Sequence, residues 1–402
     1  MTRPAATASI AAGLILFSGL SLASGPNPDE TFTFTGPAFD IAATPSGSIL
    51  IADFDTVREI RANGVRDLAS LPVVFDEAAF GEIQPTFING LEAVGNRSFL
   101  ASRSALDLAV GGALFRVNPG SSASSVNCIR RAMLGKSCPE EKKTIVADIE
   151  SFTLGNWPVN APGQKPGWKN WACEAPGGFT PGPQTNPYHI EAISRNDILI
   201  ADAAGNTLLR SRDGDLEVVA TFDPVVDPDT DERLVQFPLD EETNCPVEPV
   251  PTSIDVGPDG AFYVGELNGS TANNFIGEPT PFGLASVWRL EPGMSNLKCP
   301  SDDCVKVVTG LNSIIDIEFG PDGMLYVVEY EQNGFLATVA PDLGIGLAGG
   351  RVKRCDVSEN TCETIAGEDG SLLLPGAITF DKNDNLWLLE NVFAPAVRRI
   401  DW

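Results

Sequence analysis

Histidine is almost missing from this chain: His189 is the only one among 402 residues. Any mechanism or metal site that needs two imidazoles is thereby excluded. Basic residues are scarce too. Lys and Arg number 27 against 54 Asp and Glu, a formal charge of −27. Such a surface repels phosphate backbones, which rules against nucleic acid as a partner, while it attracts cations. No CxxC pair occurs, so the eight cysteines do not read as a zinc site. No GxSxG elbow occurs either, and no serine can be matched to a base. Long apolar runs are absent after Ile10–Leu22, and that run is short for a membrane span. With Arg3 before it and Ser21-Leu22-Ala23 after it, it reads as a secretory leader over residues 1–23; a retained anchor is the alternative. The expectation is a secreted or periplasmic protein, off the membrane once the leader is removed and monomeric.

What is present is a repeated hairpin. Pro251–Glu266, PTSIDVGPDGAFYVGE, alternates apolar and polar residues, turns at Gly257-Pro258-Asp259-Gly260, and runs on through an apolar, aromatic strand. The phrase returns at Ile314–Glu329, and more loosely at Phe39–Asp53, His189–Asp202 and Gly376–Glu390. A degenerate copy lies between Phe87 and Phe152. Six such units predict an all-β, six-bladed β-propeller over residues 24–402. The last unit has only three strands, GAITFD, LWLLEN and AVRRID. The spare strand is Thr31–Thr35, TFTFT, expected to pair beside Ala396–Asp401 and close the ring.

Blade topology then sorts the loops. The tight turns share one face. Thr153–Pro187, Asp223–Val250, Leu267–Ala285 and Tyr330–Gly349, read as all the long insertions, fall on the other, where function is usually carried. Cysteine spacing gives local disulfides Cys128/Cys138, Cys299/Cys304 and Cys355/Cys362 in outer hairpins on the tight-turn face; Cys173 and Cys245 remain, in adjacent links on the long-loop face.

The phrases NPYHIEAI…ILIADAAGN, PVPTSIDVGPDGAFYVGELNG and SIIDIEFGPDGMLYVVEYEQNG resemble the ScyD/ScyE family of secreted bacterial proteins. That family is similar to NHL-type propellers and, more distantly, to the calcium-dependent phosphotriesterase and lactonase superfamily. The resemblance implies the fold; the family name records a genomic neighbourhood, not a reaction. The lactonase-like relatives hold their metal near the start of the first strand, where this chain has Tyr188, Thr252 and Ile315. Glu191, Asp255 and Glu318 lie slightly further along; they could substitute, or be hydrogen-bonded between blades.

Several residues are candidates for a site. Second strands end in an acid in five blades: Asp53, Asp202, Glu266, Glu329 and Glu390. They read either as a Ca²⁺ site or as acids bonded within their blades, Asp202 with Asn206 and Arg210 for example. His189 starts an inner strand, as a general base or as a packed side chain. Trp157, Trp168 and Trp171 crowd one insertion, as a platform for a flat or carbohydrate ligand or as a loop burying its own rings. Asp227, Asp229 and Asp231 begin like a calcium loop, but the glycine that such a loop needs is lacking. The expectation is a binding or scaffold module for a small molecule, glycan or protein, with His189, Asn206 and the tryptophans on its ligand face. The rival is a calcium-dependent hydrolase, lactonase- or esterase-like, built on the carboxylate ring.

Overall fold

The computed structural model describes residues 25–76, 84–96, 98–105, 108–120, 137, 141–156, 185–232, 234, 247–269, 283–339 and 344–402. The expected leader, Trp157, Trp168, Trp171, Cys128, Cys138, Cys173 and Cys245 lie outside them.

Six sheets, each built on four antiparallel strands, form the blades of a propeller. The inner strands are Ala38–Ala43, Phe87–Gly95, Pro187–Ser194, Pro251–Val256, Ile314–Phe319 and Ala377–Phe380. Each inner strand touches the next, and the sixth touches the first, so the ring is closed. Between blades lie apolar clusters such as Leu208, Phe222, Ile254, Val264 and Trp288 for blades 3 and 4. Burial of this kind, repeated around the ring, holds the sheets face to face.

The sixth blade is completed as the sequence predicts. Phe32–Thr33 pairs antiparallel with Ala396–Ile400, Phe32 opposite Val397 and Thr33 opposite Ala396. The alternation in TFTFT does the rest: Phe32 and Phe34 are buried while the three threonines are exposed.

One feature departs from the sequence reading. The excursion between the third and fourth strands of blade 4 folds back along blade 3, where Leu297–Cys299 pairs in parallel with Asp215–Phe222 as a fifth strand. It protects an edge that would otherwise offer unpaired groups. The Cys299–Cys304 disulfide is formed and ties this added strand to the start of Cys304–Leu311; Cys355–Cys362 is formed directly across the outer pair of blade 5. Leu108–Asn118 and Lys142–Asp148 pair as the third and fourth strands of blade 2, the outer strands expected on either side of the Cys128/Cys138 segment. Among the described residues no helix is long and apolar enough to cross a membrane.

Candidate functional site

An inner strand borders the axis, so its polar residues line the channel or bond to the neighbouring blade. The recurring unit is an isoleucine or leucine flanked by polar residues: Asp40-Ile41, Gly90-Leu91-Glu92, His189-Ile190-Glu191, Ser253-Ile254-Asp255, Asp316-Ile317-Glu318. Ile41, Leu91, Ile190, Ile254 and Ile317 are buried. Their neighbours form two tiers along the axis.

The tier toward the long-loop face contains Asp40, His189 and Asp316, from alternate blades. His189 Nδ1 accepts the N–H of Ile254, 3.4 Å away, which leaves the proton on Nε2. Nε2 lies 3.5 Å from Asp316 Oδ1 and 4.0 Å from Asp40 Oδ2. Burial lowers this imidazole to about 4, so it is neutral at neutral pH and these are dipole contacts rather than ion pairs. Burial also raises Asp40, with the Asp316 charge adding to it, and lifts Asp316 to about 8.

The second tier is Glu92, Glu191, Asp255 and Glu318. Burial lifts Glu92 and Asp255 to about 7, the Asp255 charge adding to the effect at Glu92. It raises Glu191 and Glu318 well above the ordinary carboxylate range, with like charges contributing. Four carboxyls gathered in one channel cannot all ionise at neutral pH, so the tier retains protons.

Much of this polar set also holds the wheel together. Asp40 accepts the N–H of Leu91 at 2.6 Å, from blade 2. Ser102 accepts from Gly90 within its own blade and donates to the Pro187 carbonyl of blade 3. His189 accepts from blade 4, as above. Asp255 accepts the N–H of Phe319, Asp316 that of Ile378, and Glu318 that of Phe380. Thr379 completes the circuit by accepting the N–H of Ala43. Every junction between blades thus carries a side-chain hydrogen bond to backbone near the axis, satisfying groups that an inner edge would leave bare. Among the described residues Glu92 and Glu191 make no such bond to a neighbouring blade.

The channel mouth on the long-loop face is aromatic. Phe39 stacks on Phe87 with centroids 4.9 Å apart, and Tyr188 meets Phe39 edge-on at 6.4 Å. Phe54 lies against Phe87, and Tyr330 against Phe335. Burial, then the neighbouring Tyr330, Asp40 and Asp316, push the Tyr188 phenol up. Phe39, Phe54, Tyr188 and Phe335 are half-buried. The adjoining loop is fixed by Glu331, fully buried, whose carboxylate accepts the N–H groups of Asn333, Ala348 and Gly349.

The five acids at the ends of second strands turn outward or into their own blade. Asp53 pairs with Arg58 at 2.8 Å, Glu329 faces Lys353 at 3.6 Å, and Glu390 accepts from Arg398 at 2.7 Å. Glu266 accepts from Trp288 Nε1 at 2.8 Å and Lys306 Nζ at 3.1 Å. Asp202 accepts from Thr185, Asn186 N–H and Gly205 N–H. Asn206, in a left-handed conformation (φ 53°), donates to Glu248 and accepts from the Val250 N–H, fastening the link between blades 3 and 4. Arg210, expected near Asp202, instead forms a two-pronged pair with Asp197. Asp227 accepts from the N–H groups of Asp229 and Thr230, a self-contained turn. Among the described residues no three His, Cys, Asp or Glu side chains come together as a metal site.

No family model matches the chain, and no curated protein matches it. Among solved structures it is similar to a Bacteroides thetaiotaomicron protein of unknown function (10% identity, 95% of this chain and 75% of that one, TM-score 0.47). It is also similar to a PQQ-bound aldose sugar dehydrogenase from Streptomyces coelicolor (9% identity, 93% and 99%, TM-score 0.46). A third is an inactive virginiamycin B lyase from Staphylococcus aureus with quinupristin (10% identity, 92% and 98%, TM-score 0.37). These likenesses carry no argument about what this chain binds or does.

Proposed function

We propose that this protein is a binding propeller of the ScyD/ScyE type that takes its ligand on the long-loop face, at the aromatic mouth of the channel. The observation that carries this reading is the set of half-buried aromatic residues Phe39, Phe54, Tyr188 and Phe335 at the mouth of a polar, proton-bearing channel. Rigid aromatic surface over a few polar groups is what orients a small molecule or a sugar ring. The ScyD/ScyE assignment is supported by the work its repeated phrase does: Asp259 and Asp322 each accept from the tyrosine and arginine of their own blade. The calcium-dependent hydrolase draws no support from Asp53, Asp202, Glu266, Glu329 and Glu390, because each already serves partners of its own.

A screen of immobilised protein against glycans and small aromatic molecules tests the proposal. Any ligand found is expected to be lost in Tyr188→Ala and Phe335→Ala and kept in Val65→Ala, on the outer strand of blade 1. Binding indifferent to the first two, or Ca²⁺-dependent ester or lactone turnover abolished by Glu266→Gln, would overturn it.

A further inference from the structure

The tight-turn face carries a second feature that the proposed ligand site does not use. Most basic side chains among the described residues are ion-paired, Arg58, Arg210, Arg289, Arg354 and Arg398 among them. Arg116, Lys142 and Arg195 are not, and these three line one cleft of about 340 Å³ between blades 2 and 3. On a chain with a formal charge of −27, unpaired positive charge gathered in one cleft is a local reversal of sign.

The cleft has a built floor. One guanidinium nitrogen of Arg116 donates to Asn196 Oδ1 at 3.0 Å and another to the Arg195 carbonyl, locking blade 2 to the first hairpin of blade 3. Asn196 Nδ2 in turn donates to Asp213 Oδ1 at 2.8 Å. Asp213 is the one acid in the lining, and that bond engages it. Asp213-Gly214 is a tight turn with both residues at positive φ, 52° and 98°. It brings the hairpin so close to blade 2 that a Cβ on Gly214 would sit 3.0 Å from the Val146 carbonyl oxygen. The wall is therefore backbone, not mobile side chain. Nε of Arg116 is buried and makes no hydrogen bond. Burial, and then the like charge of Arg195, hold Arg116 below the ordinary guanidinium range. Two cationic side chains lining one cleft, whose single lining acid is engaged by Asn196, make an unfavourable arrangement that an anion would relieve. The half-exposed side chain of Ile145 adds apolar surface beside the charges.

We infer that this cleft binds an oxyanion group, a phosphate, sulfate or carboxylate carried by a ligand or partner, between Arg195, Lys142 and the fixed guanidinium of Arg116. The planar guanidinium of Arg195 can match such oxygens in pairs, while Arg116, already engaged with Asn196 and the Arg195 carbonyl, and Lys142 supply positive charge. A neighbouring cleft of about 570 Å³ shares Asn118 and Arg195 and runs to Glu92 in the channel, so a ligand longer than the anion has a path to follow toward the axis. This site lies on the opposite face from the aromatic mouth, and its failure would leave that reading untouched.

Titration calorimetry of the full chain with inorganic phosphate, sulfate and acetate, at constant ionic strength against chloride, tests the inference. At least one of the three is expected to bind above chloride, and which one does so names the source. Arg195→Gln and Lys142→Gln, both at exposed positions, are each expected to weaken that binding roughly tenfold or more. Lys382→Gln, at an exposed turn of blade 6, is expected to leave it unchanged. Arg116 also ties the blades together, so it is left in place, and circular dichroism checks that the variants fold. No binding above chloride by any of the three anions overturns the site, and so does binding that Arg195→Gln and Lys142→Gln leave intact.

Discussion

The channel residues make a statement about pH. Glu92, Asp255 and Asp316 hold their protons to about 7, 7 and 8, against ordinary values near 4. A carboxyl whose folded value is raised binds more protons folded than unfolded, so stability falls as pH rises from about 4 through those values. His189 works the other way. Its folded value of about 4 lies below the ordinary one, so it adds stability as pH rises from about 4 to 6.5. Several acids against one imidazole settle the direction, and the melting temperature is expected to fall between pH 5 and 8. Glu92→Gln with Glu191→Gln should flatten that fall, because neither carboxylate bonds a neighbouring blade and the amides keep their volume. Melts at pH 5, 6.5 and 8 check it; an unchanged slope in the double variant means that the tier is not proton-bearing.

At the level of the hairpin, the repeated GPDG turn is explained by what surrounds each glycine. A Cβ on Gly320 would lie 2.4 Å from the Tyr326 ring, and one on Gly257 2.3 Å from that of Tyr263. Tyr326 is fully buried, donates to Asp322 and packs edge-on against Phe380, so it has no room to retreat. Gly323 differs: nothing lies near its Cβ position, but its φ is +78°. Gly320→Ala is therefore expected to cost about 1–3 kcal/mol through overpacking, and Gly323→Ala only about 1 kcal/mol through backbone strain. Denaturant melts of the two variants rank them; the reverse order would mean that the turn is held by backbone conformation alone. The same hairpin shows what sequence could give. Blades 4 and 5 were legible because turn, strand period and packing agree within one short phrase. Blade 2 was not, since bulges between Ile88 and Leu91 and between Glu92 and Gly95 break the alternation that would have marked Glu92. Of the channel acids, Glu191, Asp255 and Glu318 were within reach, and Asp40 was recoverable from the polar–isoleucine pairing repeated around the ring. The second-strand acids were legible, and so was the alternative that they bond within their blades, as Asp53 with Arg58 and Glu390 with Arg398 do; the Lys306 partner of Glu266 was not, because it lies on a strand two places away in the sheet and no local pattern records that.

For the molecule as a whole, stability rests on closing the circle with very little chain. Two strand residues, Phe32 and Thr33, make the joint, and Phe34 extends it through its N–H to the Pro395 carbonyl. Phe32 and Phe34 enter the cluster of Ile41, Ile49, Trp387, Leu389 and Val397 that joins blades 6 and 1. The opposite terminus returns to the neighbouring junction, where Trp402 packs edge-on against Tyr326 and Phe380. Phe32–Phe34 and Trp402 thus both pack on the last blade, and losing Phe32–Thr33 opens a strand edge as well as a cluster. Burying one phenylalanine is worth about 1.5–3 kcal/mol, so Phe32→Ser with Phe34→Ser is expected to cost roughly 3–6 kcal/mol. Thr31→Ala and Thr35→Ala, whose exposed side chains lie on either side of the same phenylalanines, should stay within about 0.5 kcal/mol. The alternation makes this a controlled comparison, because all four positions share one segment and differ only in which side they face. Denaturant unfolding reads the difference, and sedimentation shows whether the opened edge recruits a second molecule. Equal, small losses in both pairs would mean that the ring is held by its inner hydrogen-bonded circuit and not by the strand that completes its last blade.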